Sequence, residues 1–293
     1  MTRVFEKAQL SIVIPVRNGA TTLGRQLDAL VEAHKPCVPI EVIIADNGST
    51  DATVEIALSF VDDLPIRVVN ASRGTGINVA RNCGISASMG EWILLCDADD
   101  EVDIDWLVHM AADFDLGHAL LGGPIDYQRL NEPAVRRWRG ATFASVTVHH
   151  DFLASAHGAN CGFTRKAFDA INGFDESFLG GGDDTDFFWR AQLAGFALHV
   201  VPNAVVHYRL RSTLRGLWSQ SVAYGASGAL LYRKFESSGL HRRGVRPVLH
   251  DVWWLASRLP FSLPIGRRGA WLRVLGGSWG KVLGSVRNRT IWL

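Results

Sequence analysis

The feature that most restricts this chain is a unit repeated within its first hundred residues. A short apolar, β-branched run gives way to a polar loop, and the loop to apolar residues at helical spacing. "LSIVIPV" (10 to 16) reads as a fully buried strand, and Leu23, Leu27, Leu30 and Val31 then mark a helix. "PIEVIIADNGSTDATVEIALSF" repeats the unit with a strand at 40 to 45, a turn at 46 to 51 and a helix. A third strand is predicted at 66 to 71, a helix over 76 to 88 and a fourth strand at 91 to 96. Strands alternating with helices predict a mostly parallel sheet covered on both faces. In such sheets ligands gather at the carboxyl ends of the strands. Four polar loops fall there: "PVRNGA", "ADNGSTD", "NASRGTG" and "CDADD".

The last of these opens a burst of carboxylates, Asp97, Asp99, Asp100, Glu101, Asp103 and Asp105, straight after a buried strand. Repulsion among so many like charges needs an offset, from solvent or from a cation. Asp100 to Asp105 are expected to open the next helix, where acids meet the positive end of the dipole. A second acidic cluster, "GGGDDTDFFWR", joins a glycine loop able to close over a ligand to a helix start at Asp183, Asp184 and Asp186. Arg190, four residues after Asp186, is expected to pair with it and brace that loop.

Charge divides the chain. Residues 1 to 208 hold 15 basic and 27 acidic residues, a balance of −12; residues 209 to 293 hold 15 and 2, a balance of +13. A basic tail of this kind addresses nucleic acid, anionic lipid or the acidic part of its own chain. The four cysteines, Cys37, Cys83, Cys96 and Cys161, have neither metal-ligand spacing nor disulfide-scaffold density, so they read as small core residues of a reducing compartment. The run "SIVIPV" is too short for a secretory signal core, and the chain is expected to be cytoplasmic.

Five segments carry a resemblance: "SIVIPVRNGATTLGRQLDAL", "VIIADNGSTDAT", "GTGINVARNCGISASMGEWILLCDADD", "GANCGFTRKAFDAINGFDESF" and "GGGDDTDFFWRAQLAG". In order and spacing, over about residues 10 to 210, they resemble the inverting glycosyltransferases of family two, which have the GT-A fold. The resemblance implies a nucleotide-diphosphate sugar donor, a divalent cation, Mg²⁺ or Mn²⁺, and transfer to an acceptor hydroxyl, as in a hexosyl- or deoxyhexosyltransferase. It maps donor binding onto Pro15, Arg17, Asp46, Arg81, Asp97 and Arg209, with Asp46 as the base-recognition carboxylate. It maps the metal onto Asp99 and Asp97, with His207 completing the site. It makes Asp184 the general base and places Asp183, Gly181, Gly182 and Asn160 on the acceptor side. Two positions depart from the family pattern: Asn47 stands where many relatives carry Asp, and Asp183 where they carry Glu. The metal assignment agrees with elementary chemistry, since hard cations take carboxylate and phosphate oxygens and neutralise a leaving diphosphate.

The expected organisation is a GT-A catalytic domain over 1 to 208 and a basic, Trp-rich helical region over 209 to 293. No charge-free run in that region reaches 18 apolar residues, so it is not expected to span a membrane. Basic amphipathic helices with Trp253, Trp254, Trp271, Trp279 and Trp292 suit the surface of an anionic membrane at its inner face, or docking on the acidic part. That surface would bring the enzyme to a lipid-linked, cell-envelope glycan or small-molecule acceptor. No nucleic-acid recognition motif accompanies the basic residues, so no nucleic-acid partner is expected. Three rivals stay open: a non-catalytic sugar-nucleotide-binding protein; a nucleotidyltransferase, whose glycine-rich loop with an invading lysine is missing here; and a membrane-binding adaptor, which would need only the tail and leaves the acidic loops unexplained. Residues 124 to 152 lack clear periodicity and are expected to form an acceptor-side loop.

Overall fold

A computed structural model describes residues 9–34, 38–140, 143–148, 152–242, 244–258 and 265–292. Cys37, Arg3, Glu6 and Lys7 lie outside these residues. The repeated units form as expected. β1 (Leu10–Val16), β2 (Ile40–Asp46), β3 (Ile66–Asn70) and β4 (Trp92–Cys96) alternate with α1 (Leu23–Ala33), α2 (Thr53–Leu58) and α3 (Ile77–Ala87). β1 is buried along its whole length, because helices cover both of its faces. Leu10, Ile12, Ile14 and Val16 face the layer of α1, while Val13 faces the layer of α3. Register is parallel throughout this half: Leu10 sits opposite Ile40 in β2 and opposite Trp92 in β4.

Beyond β4 the chain adds β5 (Glu101–Val102), α4 (Trp106–Asp115), β6 (Leu120–Gly122) and β7 (Ile125–Asp126), then α5 (Pro133–Arg139), β8 (Phe143–Ala144), β9 (Thr147–Val148) and β10 (Ala154–Ser155). β11 (Asn160–Thr164), α6 (Arg165–Ala170), α7 (Asp183–Leu193), β12 (Leu198–Val200) and β13 (Val206–His207) follow. The seven-stranded sheet runs β12-β6-β11-β4-β1-β2-β3, and only β11 is antiparallel to its neighbours. Strand order reverses between β1 and β4. The Asp97 loop therefore leaves the sheet at the switch point, where the two flanking crossovers part and open a crevice.

The acids after β4 do not open a helix together. Asp105 stands at the start of α4, whereas β5 pairs with β13, and Asp100, Glu101 and Asp103 each hold a residue of the 207 to 209 segment. The segment 124 to 152 forms β7, α5, β8 and β9, and α5 rests on the tail: Arg273 donates to the Trp138 carbonyl at 3.0 Å.

The basic region contains α8 (Leu214–Phe235), α9 (Val245–Ser257) and α10 (Ile265–Arg287). α8 and α10 approach at backbone distance, which their glycines permit. A Cβ on Gly280 would overlap the Val222 carbonyl oxygen, and one on Gly225 that of Gly277. Ala229, Leu231, Tyr232, Phe235, Leu240 and Trp292 share one apolar cluster with Phe178 and Trp189, so the tail packs into the preceding part of the chain. Lys234 of α8 reinforces this contact by pairing with Asp175 and Asp186 at 2.7 and 2.6 Å. Among the described residues no helix is long and apolar enough to cross a membrane.

Candidate active site

A cavity of about 780 Å³ opens beside the switch point. Asp97 and Arg81 line one side, Gly180 to Asp184 the second, and α8 with Trp292 the third. Arg81 is buried in α3, where its guanidinium pairs with Asp183 and lies 3.7 Å from Asp97 and 5.2 Å from the centre of the Phe174 ring. It thus joins the two acidic clusters that the sequence separates by more than eighty residues. Gly158 is required beside it, since a Cβ there would stand 2.5 Å from the guanidinium.

Oxygen atoms of Asp97, Asp99 and Asp100 lie within 4.8 Å of one another. Burial pushes the Asp97 carboxyl up to about 6; Asp99 and Asp183 add to the rise and Arg81 opposes it. Asp100 is pushed well above the ordinary range by burial and by its two acidic neighbours. Asp97 Oδ1 and Asp100 Oδ2 are buried without a hydrogen-bond partner. Converging carboxylates with unused lone pairs are the donor set that a hard divalent cation takes, so the residues fit Mg²⁺ or Mn²⁺. Asp100, which the sequence reading gave to a helix start, belongs to this group.

Arg211 donates to Asp99 Oδ2 at 3.0 Å, stays half exposed and lines the cavity. Arg209 does not share that position. Its backbone N–H donates to Asp100 at 2.7 Å, its Nε to the Asp99 carbonyl at 3.0 Å, and its fork turns to Glu101. Arg209 thus braces the acidic loop, and Arg211 is the member of the pair that lines the cavity. Strand pairing of β13 with β7 and β5 sets the His207 ring between Asp126 (2.8 Å) and Asp103 (3.2 Å).

Asp184 opens α7 and faces the cavity, with Oδ2 accepting from the Gly158 N–H at 3.1 Å. Beside it Gly181 and Gly182 adopt positive φ and pack on Tyr224 and Ser227 of α8. Asp186 pairs with Arg190, whose fork also donates to the Ile171 and Gly173 carbonyls, so the expected brace forms. Asn160 lies in the core. Its amide donates to the Pro124 and Ala204 carbonyls at 2.8 and 2.7 Å and accepts from the Trp106 indole at 2.8 Å, which uses its hydrogen bonds in the interior.

Pro15 is buried in β1 opposite Ala45, and Arg17 and Asp46 stand where β1 and β2 end, outside the cavity lining. Asp46 accepts from the Ser49 N–H at 3.1 Å. Asn47 explains its own departure from the family pattern. Its amide donates to the Ala71 and Gly74 carbonyls at 2.6 and 2.8 Å and accepts from the Gly76 N–H, holding the "ASRGTG" loop shut on β2. A carboxylate cannot donate to two carbonyls. Tyr127, Arg139, Tyr208, Gln220 and Tyr224 also line the cavity, and no motif in the sequence points to them.

The comparisons agree with this geometry. Residues 11–171 match the model of glycosyl transferase family 2, and residues 92–285 that of glycosyl transferase family group 2. The chain belongs to glycosyl transferase family 2 and has the GT-A fold. It is 28% identical over 194 residues to glycosyltransferase AglE of Haloferax volcanii, covering 64% of this chain and 63% of that protein. It superposes on the mannosyltransferase PcManGT of Pyrobaculum calidifontis, solved with GDP-Man and Mn²⁺, with a TM-score of 0.66 at 17% identity, covering 94% of this chain and 88% of that one. S. aureus TarS 1-349 in complex with UDP-GlcNAc superposes with a TM-score of 0.58 at 15% identity, over 96% and 92% of the two chains.

Proposed function

We propose that the protein is an inverting, divalent-metal-dependent glycosyltransferase that moves a sugar from a nucleotide-diphosphate donor to an acceptor hydroxyl of a lipid-linked or cell-envelope glycan. One observation carries this reading: the Asp97 and Asp184 carboxylates line one cavity, with the Arg81 guanidinium 3.7 Å from Asp97 and the Asp99 and Asp100 carboxylates clustered beside Asp97. Bound at the three aspartates, Mg²⁺ or Mn²⁺ supplies charge neutralisation for the departing diphosphate. Arg211 holds a diphosphate oxygen. Asp46 and Arg17 meet the nucleoside at the ends of β1 and β2. Asp184 takes the proton of the acceptor hydroxyl as its oxygen bonds to the anomeric carbon, and the bond from that carbon to the diphosphate breaks on the opposite face. Gly181 and Gly182 give this loop the freedom to close, and α8 forms the acceptor wall.

A thermal-shift screen against UDP, GDP, dTDP and CDP, each with Mn²⁺, Mg²⁺ or EDTA, tests the donor half, because a ligand of the native state raises its stability. A metal-dependent rise with one nucleotide is expected; no rise with any of the four would remove the donor site. For membrane association we propose the exposed apolar face of α9, Leu249, Val252 and Trp253, flanked by Arg246 and Arg258. Trp253→Asp is expected to abolish flotation with anionic liposomes while leaving the fold intact, and retained flotation would mean that α9 is not the anchor.

A further inference from the structure

A second group of metal-ligating side chains lies at the far edge of the sheet, on elements that contribute nothing to the cavity lining. Asp113 projects from α4, His118 from the turn that leads into β6, and His199 from β12, the edge strand beside β6. The turn is set by Gly117, which takes a positive φ directly after the helix. The two imidazole rings stack with centroids 3.8 Å apart and planes 5° apart. Their Nε2 atoms converge on one carboxylate oxygen: Asp113 Oδ1 is 3.2 Å from His199 and 3.8 Å from His118.

Neutral imidazole is the form that binds metal. An ion lies in the plane of each imidazole it binds, so the two rings must turn out of their parallel stack to share one, and their partial exposure leaves room for that rotation. Two nitrogens with one oxygen differ in kind from the all-oxygen Asp97 group. We propose that Asp113, His118 and His199 form a separate site for a borderline transition ion, Zn²⁺ by preference, with coordination completed by water. Such an ion would clasp the edge strand β12 to α4 and to the turn before β6, where the His118 N–H already donates to the Asp113 carbonyl at 3.3 Å. His118 and His199 are 35% and 44% exposed, so an ion reaches them without opening the core.

The test uses the full chain, stripped with EDTA and held in excess Mg²⁺ to occupy the acidic cavity, then titrated with Zn²⁺ by calorimetry and with Co²⁺ by visible absorption. The expected result is one equivalent of either ion, a Co²⁺ spectrum with nitrogen ligands, and a rise in melting temperature. His118→Gln and His199→Gln should each weaken uptake by at least about tenfold, and Asp99→Asn should leave it unchanged. Both histidines are partly exposed, so either variant can be checked for native melting before titration. Failure of Zn²⁺ and Co²⁺ to bind, or binding that survives both histidine variants and disappears in Asp99→Asn, would overturn the proposal and leave the group as a histidine–aspartate pair.

Discussion

The repeated strand units and the helical tail contribute to the same cavity by opposite means, α3 and the end of β4 supplying Ile77, Arg81 and Asp97. β1 to β4 place their loops by repetition: β1, β2 and most of β4 are buried, β3 closes the edge half-exposed, and neighbouring register follows from the hydrophobic runs. The tail has no such repetition. α8 and α10 lie together because Gly225 and Gly280 remove the atoms that would hold them apart, and Trp292 closes against a cluster containing Trp189. Strand repetition builds the Asp97 side of the cavity locally, while the tail side depends on contacts between residues far apart in sequence.

That contrast breaks most sharply at Asp184. Asp184→Asn should retain nucleotide binding within about twofold and lose transfer by about 10³-fold, the range of a missing general base. Calorimetry with the nucleotide and a single-turnover assay check it, and intact turnover would remove Asp184 as the base. Next comes the tail. Trp292→Ala should cost about 3 kcal/mol of stability, as for other buried large-to-small changes, whereas Trp253→Ala, exposed on α9, should change it by less than about 0.5 kcal/mol. Equal effects in denaturant titrations would mean that the Trp292 cluster is not a core.

Asn47→Asp tests the strand side. Replacing the amide leaves the Ala71 and Gly74 carbonyls facing a carboxylate, with an expected loss of about 2 kcal/mol and a raised KM for the donor at near-normal kcat. An unchanged KM would separate the "ASRGTG" loop from donor binding. The smallest effect is one of pH. The Asp97 carboxyl, at about 6 in the fold against an ordinary 3.8, is protonated in the folded chain while the unfolded chain is ionised, so stability from this group falls as pH rises from 3.8 to about 6. Protons and a cation compete for the same oxygens. Mn²⁺ affinity should therefore rise about tenfold between pH 5 and pH 7, and a flat profile by calorimetry would mean that the metal does not displace the Asp97 proton.

Much of this architecture is readable in the sequence because it is local. β1, β2, β3 and β4, the polar strand ends and the helix beginning at Asp183 all follow from residues within a few positions of each other. For Asn160, His207 and Arg209 the sequence shows less than the fold does, for one physical reason. Each is a polar residue next to a candidate site, and its role depends on whether distant partners already use its hydrogen bonds. Asn160 is taken by Ala204, His207 by Asp103 and Arg209 by Asp99, partners 44, 104 and 110 positions away. Arg81 shows the reverse case. Helical spacing marks it only as a helix residue, and its place between Asp97 and Asp183 needs the fold that brings both clusters to one crevice.

The position of Trp292 also has a consequence during synthesis. Ribosomes add about 5–20 residues each second, and about a hundred separate Trp189 from Trp292. For several seconds a nascent chain therefore carries a finished sheet with Phe178 and Trp189 still wet. The acidic part emerges before the basic helices that will cover it, so its first interactions are with chaperones and counterions. Gene fusions or stop codons placed before Trp292 would prolong that exposed state, and their yield would report on quality control in the cell as much as on transfer chemistry.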